Sequence, residues 1–342
     1  MTTPRLSICI ATYNRGAFIG ETLASILPQL TPEVELLVLD GASPDHTRNV
    51  VEGYMAAYPA LRYVREPTNS GVDQDYDKAV SAARGEYCWL MTDDDLLNPG
   101  AVARVLVALD QGVDLVVCNA EVRTIDFGRV LQPRLLDAAH DRHYGVGDHA
   151  GFFEQVAPHL KFIGAVVIRR ATWLARQREP YYGTLFVHVG VIFQSPPLAR
   201  VQLIAEPLIV IRYGNAMWTA RGFEIWMFKW PSLVWSFAGY ADDSKARVSA
   251  REPWRQLSKL GAHRGLGAYS IVEYRRLLAP LGTTRTRLLP WLIAYLPAGL
   301  ANSLAGLACL AMPRKSRLNL YDLSRGRHAT AVSRWVAKLM GV

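Results

Sequence analysis

Over the first 120 residues, short uninterrupted apolar runs alternate with segments whose apolar residues recur at helical spacing. Leu6–Ala11, Glu35–Asp40, Leu61–Arg65, Tyr87–Met91 and the segment 113–118 read as strands. Between them Phe18–Leu27, Thr47–Tyr58, Asp73–Ala83 and 99–109 read as helices, with Asp45 or Thr47 placed to cap the second. Strands alternating with helices of this length predict an α/β fold: a doubly wound, mostly parallel sheet with helices on both faces. In such sheets ligands bind at the carboxyl ends of the strands. Those ends carry Thr12-Tyr13-Asn14, Asp40-Gly41 and Asp93-Asp94-Asp95, three polar clusters on one rim.

The third cluster has its own chemistry. Adjacent carboxylates repel, which raises at least one pKa unless a cation sits among them. Hard divalent ions take oxygen ligands and bridge to substrate phosphates. Alone, the triplet would read more readily as a solvated acidic turn before the next helix. Beside the other two clusters it predicts a Mg²⁺ or Mn²⁺ site that holds a phosphorylated substrate.

Charge changes the picture for the rest of the chain. The 342 residues carry a formal +8, and half are hydrophobic, which suits one large domain with an appendage, or two domains. From residue 251 onward there are 15 basic and 3 acidic residues, a net +12. The first 250 residues hold the remaining 23 basic and 27 acidic ones, a net −4. A basic end of this kind points to an anionic surface, either nucleic acid or a membrane leaflet. Cys9, Cys88, Cys118 and Cys309 are far apart and read as buried thiols in a reducing compartment. No secretion signal is read before the first strand. His140, His143 and His149 match no tight zinc spacing, and no cysteine joins them, so they predict a polar loop over the cleft.

Ala11-Thr12-Tyr13-Asn14-Arg15, Val38-Leu39-Asp40-Gly41-Ala42-Ser43-Pro44-Asp45, Asn69-Ser70-Gly71 and Ala83-Arg84-Gly85-Glu86-Tyr87 lead in order into Asp93-Asp94-Asp95 and Pro99. This set resembles glycosyltransferase family 2, which has the GT-A fold. Within the family it is similar to the abequosyltransferase-like branch of O-antigen and polysaccharide enzymes.

The resemblance implies roles. Thr12 and Tyr13 would line the nucleotide base pocket, with Asn14 beside them. Asp40 would accept from the base, and Arg15 would reach the diphosphate. Aligned on Pro99, Asp94 falls on the metal position, and Asp93 stands where the family has a small residue. Shifted by one, Asp93 and Asp95 form the alternating pair. Both registers remain open, with Asp94 and Asp95 taken as the metal ligands and Asp93 as a donor contact. The family's usual Glu-Asp pair, which supplies the acceptor base, has no counterpart here. His188 falls near its position and is chemically able to act as the base. A core histidine is the alternative, with Glu179 the second candidate base.

The last third is unlike the rest. Between Arg287 and Pro313 lie 25 residues without a charge, flanked by Arg285-Thr286-Arg287 and Arg314-Lys315-Ser316-Arg317. The length permits a membrane span, but Pro290, Pro297 and Gly299 interrupt it and both flanks are basic. A segment lying in the inner-leaflet interface satisfies both flanks at once. A buried hairpin and a true span are the alternatives.

The chain therefore divides into a GT-A catalytic domain, 1–215, with a nucleotide-sugar half 1–120 and an acceptor half 121–215. A helical, basic, membrane-associating region follows, 216–342. The expected activity is inverting transfer of a sugar from a UDP, dTDP or CDP donor to a lipid-linked glycan acceptor. The place is the cytoplasmic face of the inner or plasma membrane, with the protein peripheral or monotopic. The competing class is a soluble nucleotide- or nucleic-acid-binding protein using the basic tail. It lacks a nucleic-acid module and leaves the rim carboxylates unexplained, so no nucleic-acid partner is expected.

Overall fold

The computed structural model describes residues 3–215, 221–281, 284–311 and 313–342. In it β1 (Leu6–Thr12), β2 (Val34–Asp40) and β4 (Tyr87–Met91) are buried along their whole length. Strands covered on both faces need apolar side chains at every position rather than every second one, which is why they read as continuous runs. The covering helices are α1 (Ile19–Ile26), α2 (Thr47–Met55), α3 (Val72–Ala82) and α4 (Ala101–Leu109). Each predicted helix in this half is present, with its ends within three residues of those predicted.

β3 (Leu61–Arg65), β2, β1 and β4 pair side by side in parallel. The sheet continues through the predicted strand at 113–118, here β6 (Leu115–Thr124), and through further strands the pattern did not reveal. The order is β3-β2-β1-β4-β9-β6-β10-β5, with β5 Leu96–Leu97, β6 Leu115–Thr124, β9 Val166–Arg169 and β10 Arg200–Tyr213. Two further strands, β7 (Val130–Gln132) and β8 (Arg142–Gly145), pair with β6 and β10. β9 is antiparallel to both β4 and β6. β6 therefore runs in the same sense as β4, but a strand from much later in the chain lies between them. β8 contains His143, so that part of the predicted polar loop is strand.

The N-terminal unit also holds α5 (His149–Val156), α6 (Arg170–Ala175) and α7 (Val187–Phe193).

Contacts divide the chain into two compact units, 1–212 with 237–248, and 213–236 with 249–342. Segment 237–248 thus packs with the first unit: Tyr240 stacks on Phe153 at 4.1 Å, and Ser244 donates to Glu154 at 2.6 Å.

In the second unit α8 (Trp230–Ser236) precedes α10 (Leu257–Leu266), α11 (Thr284–Tyr295), α12 (Ala298–Ala308), α13 (Pro313–Arg325) and α14 (Ala331–Leu339), while α9 (Asp242–Val248) belongs to the first. α12 meets its neighbours closely. A Cβ on Gly265 of α10 would lie 2.9 Å from the Asn302 backbone, and one on Gly306 would lie 3.2 Å from Ser333 of α14. Buried Asn302 donates to the carbonyls of Gly265 and Leu323, fixing that approach. Among the described residues no single helix is long and apolar enough to cross a membrane. The side chains of Arg285, Arg287, Arg314 and Lys315 lie outside the described residues.

Candidate active site

The three rim clusters meet. The loop after β1 is laced to the loop after β2 by three successive backbone N–H groups. Asn14 donates to Ser43 Oγ at 2.9 Å, Arg15 to Thr47 Oγ1 at 3.0 Å, and Gly16 to Asp45 Oδ2 at 2.9 Å. Asn14 takes a left-handed φ of 58°, which asparagine tolerates better than most residues. This turn leaves Tyr13 exposed and sends the Arg15 guanidinium to the acidic turn, 3.4 Å from Asp93 and 3.3 Å from Asp94. Asp45 also accepts from Thr47 N–H, at 3.1 Å, at the start of α2.

The carboxylates of the triplet have different surroundings. Asp93 has its pKa pushed up to about 7, first by burial and then by neighbouring Asp94, with Arg15 and Thr12 opposing. Such a pair lacks a full complement of positive charge. Asp95 is buried and turned inward. Its Oδ1 accepts the backbone N–H of Arg212 at 2.7 Å, and its Oδ2 accepts the Thr92 hydroxyl. Asp95 therefore holds the turn in shape through both of its carboxylate oxygens. The pair at the cleft is Asp93 and Asp94. Among the described residues no group of three or more His, Cys, Asp or Glu is arranged to hold a metal. Two hard carboxylates still fit Mg²⁺ or Mn²⁺, which commonly take one or two protein carboxylates plus substrate phosphates.

Asp40 is fully buried at the end of β2. Ser43 N–H donates to its Oδ1 at 2.7 Å, the Tyr63 hydroxyl donates to Oδ2, and Arg65 Nε lies 3.6 Å from Oδ2. For Asp40 to read a base directly, Tyr63 must give way. Gly41 follows because a Cβ there would lie 2.6 Å from Asp75 Oδ2.

His188 lies in the core. It is buried in α7, its Nε2 is 2.7 Å from the Leu160 carbonyl, and burial drives its pKa down to about 4. A base must reach the acceptor hydroxyl, and this ring lies in the core. His159 matches it: buried, 3.1 Å from the Cys118 carbonyl, with its pKa lowered to about 4 by burial. Glu179 is exposed on a short turn, Glu179–Tyr181.

Two groups of residues escaped the sequence reading. α3 carries three acids two apart. Asp73 accepts from the N–H groups of Leu185 and Val187 at 2.8 and 3.0 Å. Asp77 accepts from Trp173 Nε1 at 2.8 Å and from the Tyr182 hydroxyl. One turn apart on one face, they tether the loop that carries Glu179. The second is Arg212, at the end of β10. Its Nε donates to the Asp94 carbonyl at 2.9 Å, its Nη1 to the Ile125 carbonyl at 2.9 Å, and its Nη2 to Glu21 at 2.7 Å. Its guanidinium lies 4.1 Å from the Phe127 ring and 5.2 Å from Phe18. The available signal was a lone arginine closing the apolar run Leu208–Ile211.

A parallel half-sheet with polar loops and carboxylates on its carboxyl rim is the arrangement of a ligand-binding α/β fold. Residues 7–162 match the family model for glycosyl transferase family 2, so the chain carries a domain of that family. It is 26% identical over 230 residues to abequosyltransferase RfbV of Salmonella typhimurium, covering 64% of this chain and 69% of that one. The putative glycosyltransferase EpsH of Bacillus subtilis is 26% identical over 147 residues, 42% of each chain. Among solved structures, TarS 1–349 from S. aureus, in complex with UDP, superposes with a TM-score of 0.53 at 15% identity, covering 94% of this chain and 90% of that one. Mannosyltransferase PcManGT from Pyrobaculum calidifontis, in complex with GDP-Man and Mn²⁺, gives 0.54 at 19%, covering 95% and 87%. At these identities the likeness establishes the GT-A fold.

Proposed function

We propose that the protein is an inverting transferase that moves a sugar from a nucleoside-diphosphate donor, of UDP, dTDP or CDP type, to a lipid-linked glycan. The observation that carries this is the junction of the Tyr13–Arg15 turn, the Ser43–Thr47 loop and the Asp93–Asp94 pair on one rim. Tyr13 offers an aromatic face to the base, with Thr12 and Asn14 at its edge. Arg15 exchanges its carboxylate partners for the diphosphate. Asp93 and Asp94 would hold Mg²⁺ or Mn²⁺, which when bound neutralises charge on the departing diphosphate. Glu179 takes the proton from the acceptor hydroxyl as it attacks the anomeric carbon. The enzyme works at the cytoplasmic face of the inner membrane, where polysaccharide intermediates are assembled on lipid, and its basic C-terminal unit meets the anionic surface.

The test is turnover of UDP-, dTDP-, CDP- and GDP-sugars with membrane lipid extract, read as nucleoside diphosphate release and as product mass. A pyrimidine donor should turn over with Mn²⁺ and fail in EDTA. Glu179→Gln should lower turnover about 10²–10⁴-fold while donor affinity holds. Release of nucleotide undiminished by EDTA would overturn the metal assignment, and an active Glu179→Gln enzyme would move the base elsewhere.

A further inference from the structure

The helices of the C-terminal unit leave a large apolar surface without a protein partner among the described residues. On α11, Leu288, Leu292 and Tyr295 recur at helical spacing and are each about half exposed. On α12 the stripe is Leu300, Leu304 and Leu307, at 49%, 54% and 44% exposure, opposite the buried Ala301, Asn302 and Gly306. On α14 the inward face is Ser333, Val336 and Ala337, and the outward face is Arg334, Trp335, Lys338 and Leu339. Trp335 is 57% and Leu339 64% exposed. A soluble surface seldom shows so many half-exposed large apolar side chains at helical spacing without an interaction to explain them.

We infer that the C-terminal unit docks in the plane of an anionic bilayer surface through the outward faces of α11, α12 and α14. The inference deepens the membrane-acceptor reading above and rests on it. Charge complementarity selects the occupant. Residues 284–342 hold nine Lys or Arg and a single acid, Asp322, and that acid is engaged by the Tyr213 hydroxyl at 2.7 Å. On α14 the two cations stand beside the exposed Trp and Leu, the pattern of an interfacial helix whose apolar side chains enter the headgroup boundary while its cations meet lipid phosphate. The bend also sets these helices apart from a single straight span. Leu288–Tyr295 and Ala298–Ala311 meet at a 106° bend, and neither has the ~20 residues a crossing needs.

The test uses the full chain with vesicles of phosphatidylcholine, with and without phosphatidylglycerol. The protein should sediment at least tenfold more with the anionic vesicles. Salt should weaken the binding without abolishing it. Leu304→Glu with Leu307→Glu should release the protein, and Arg334→Glu with Lys338→Glu should remove the preference for anionic lipid. Tryptophan quenching should be strongest from bromines near the headgroup and weakest from bromines at the chain ends. Mn²⁺-dependent nucleotide binding by the same variants should equal the wild type, which separates failure of docking from failure of the catalytic reading. Wild type that stays in solution with anionic vesicles would overturn the inference. So would a dimer in solution that the Leu304→Glu variant dissolves, or quenching strongest from the bilayer centre.

Discussion

The backbone N–H of Arg212 donates to Asp95 Oδ1 at 2.7 Å, and through this bond the last long strand of the catalytic unit holds the acidic turn. The Arg212 side chain adds the Asp94 carbonyl, the Ile125 carbonyl and Glu21, so one residue joins the turn, the loop after β6 and α1. Arg212→Lys keeps the charge but loses the planar fork that reaches three partners. Leaving buried carbonyls without a donor costs about 1–3 kcal/mol each. The variant should melt lower and bind nucleotide with Mn²⁺ more weakly. Equal melting and equal affinity would show that the clamp has no role.

The three aspartates should separate by what they do. Asp94→Asn should weaken metal-dependent nucleotide binding at least about tenfold, because a charged ligand is lost. It should leave the metal-free fold as stable or more stable, since one of two repelling charges is gone. Asp95→Asn should lower the melting temperature first, because its carboxylate serves Arg212 and Thr92. Thermal melts and calorimetric titration of both variants check this; the opposite pattern would return Asp95 to the metal.

The buried histidines predict a pH dependence of stability. His188 titrates at about 4 in the folded protein, against the ordinary 6.5 of an unfolded chain. Between those values the unfolded chain binds more protons, so stability rises with pH across that window and is lost as pH falls through it. Each tenfold difference in proton affinity between the two states corresponds to about 1.4 kcal/mol. His188→Gln should flatten the slope of unfolding free energy between pH 4 and 6.5 while turnover per folded enzyme persists. A loss of turnover with an unchanged slope would restore His188 as the base.

Asp73 accepts two backbone N–H groups around Leu185, which has a left-handed φ of 74°. Asp73→Ala should free that loop, at about 2 kcal/mol of stability. Limited proteolysis should then cut within 178–186 sooner than in wild type; an unchanged cleavage pattern would count against the tether.

The sequence made the parallel half of the sheet legible because its strands are buried on both faces and its connections are short. β9 and β10 were not legible as sheet members. β9 is four residues long and enters antiparallel between strands it does not neighbour in sequence, a long-range choice that no local pattern encodes. The rim clusters were legible as chemistry, since strand ends and residue types are local. Side-chain direction was not. Asp95 and His188 carried the right atoms, and only the tertiary packing around Arg212 and Leu160 shows them facing inward.

The central claim is that Asp93 and Asp94 form the metal-dependent donor site of a glycosyltransferase. Calorimetric titration of UDP, dTDP, CDP and GDP into wild type and Asp94→Asn, each with Mn²⁺ and with EDTA, tests it most directly. The account predicts that wild type binds at least one pyrimidine diphosphate, about tenfold or more tightly with Mn²⁺ than in EDTA, and that Asp94→Asn loses this difference. Equal affinity in Mn²⁺ and EDTA for wild type, or an undiminished Mn²⁺ effect in the variant, would contradict it.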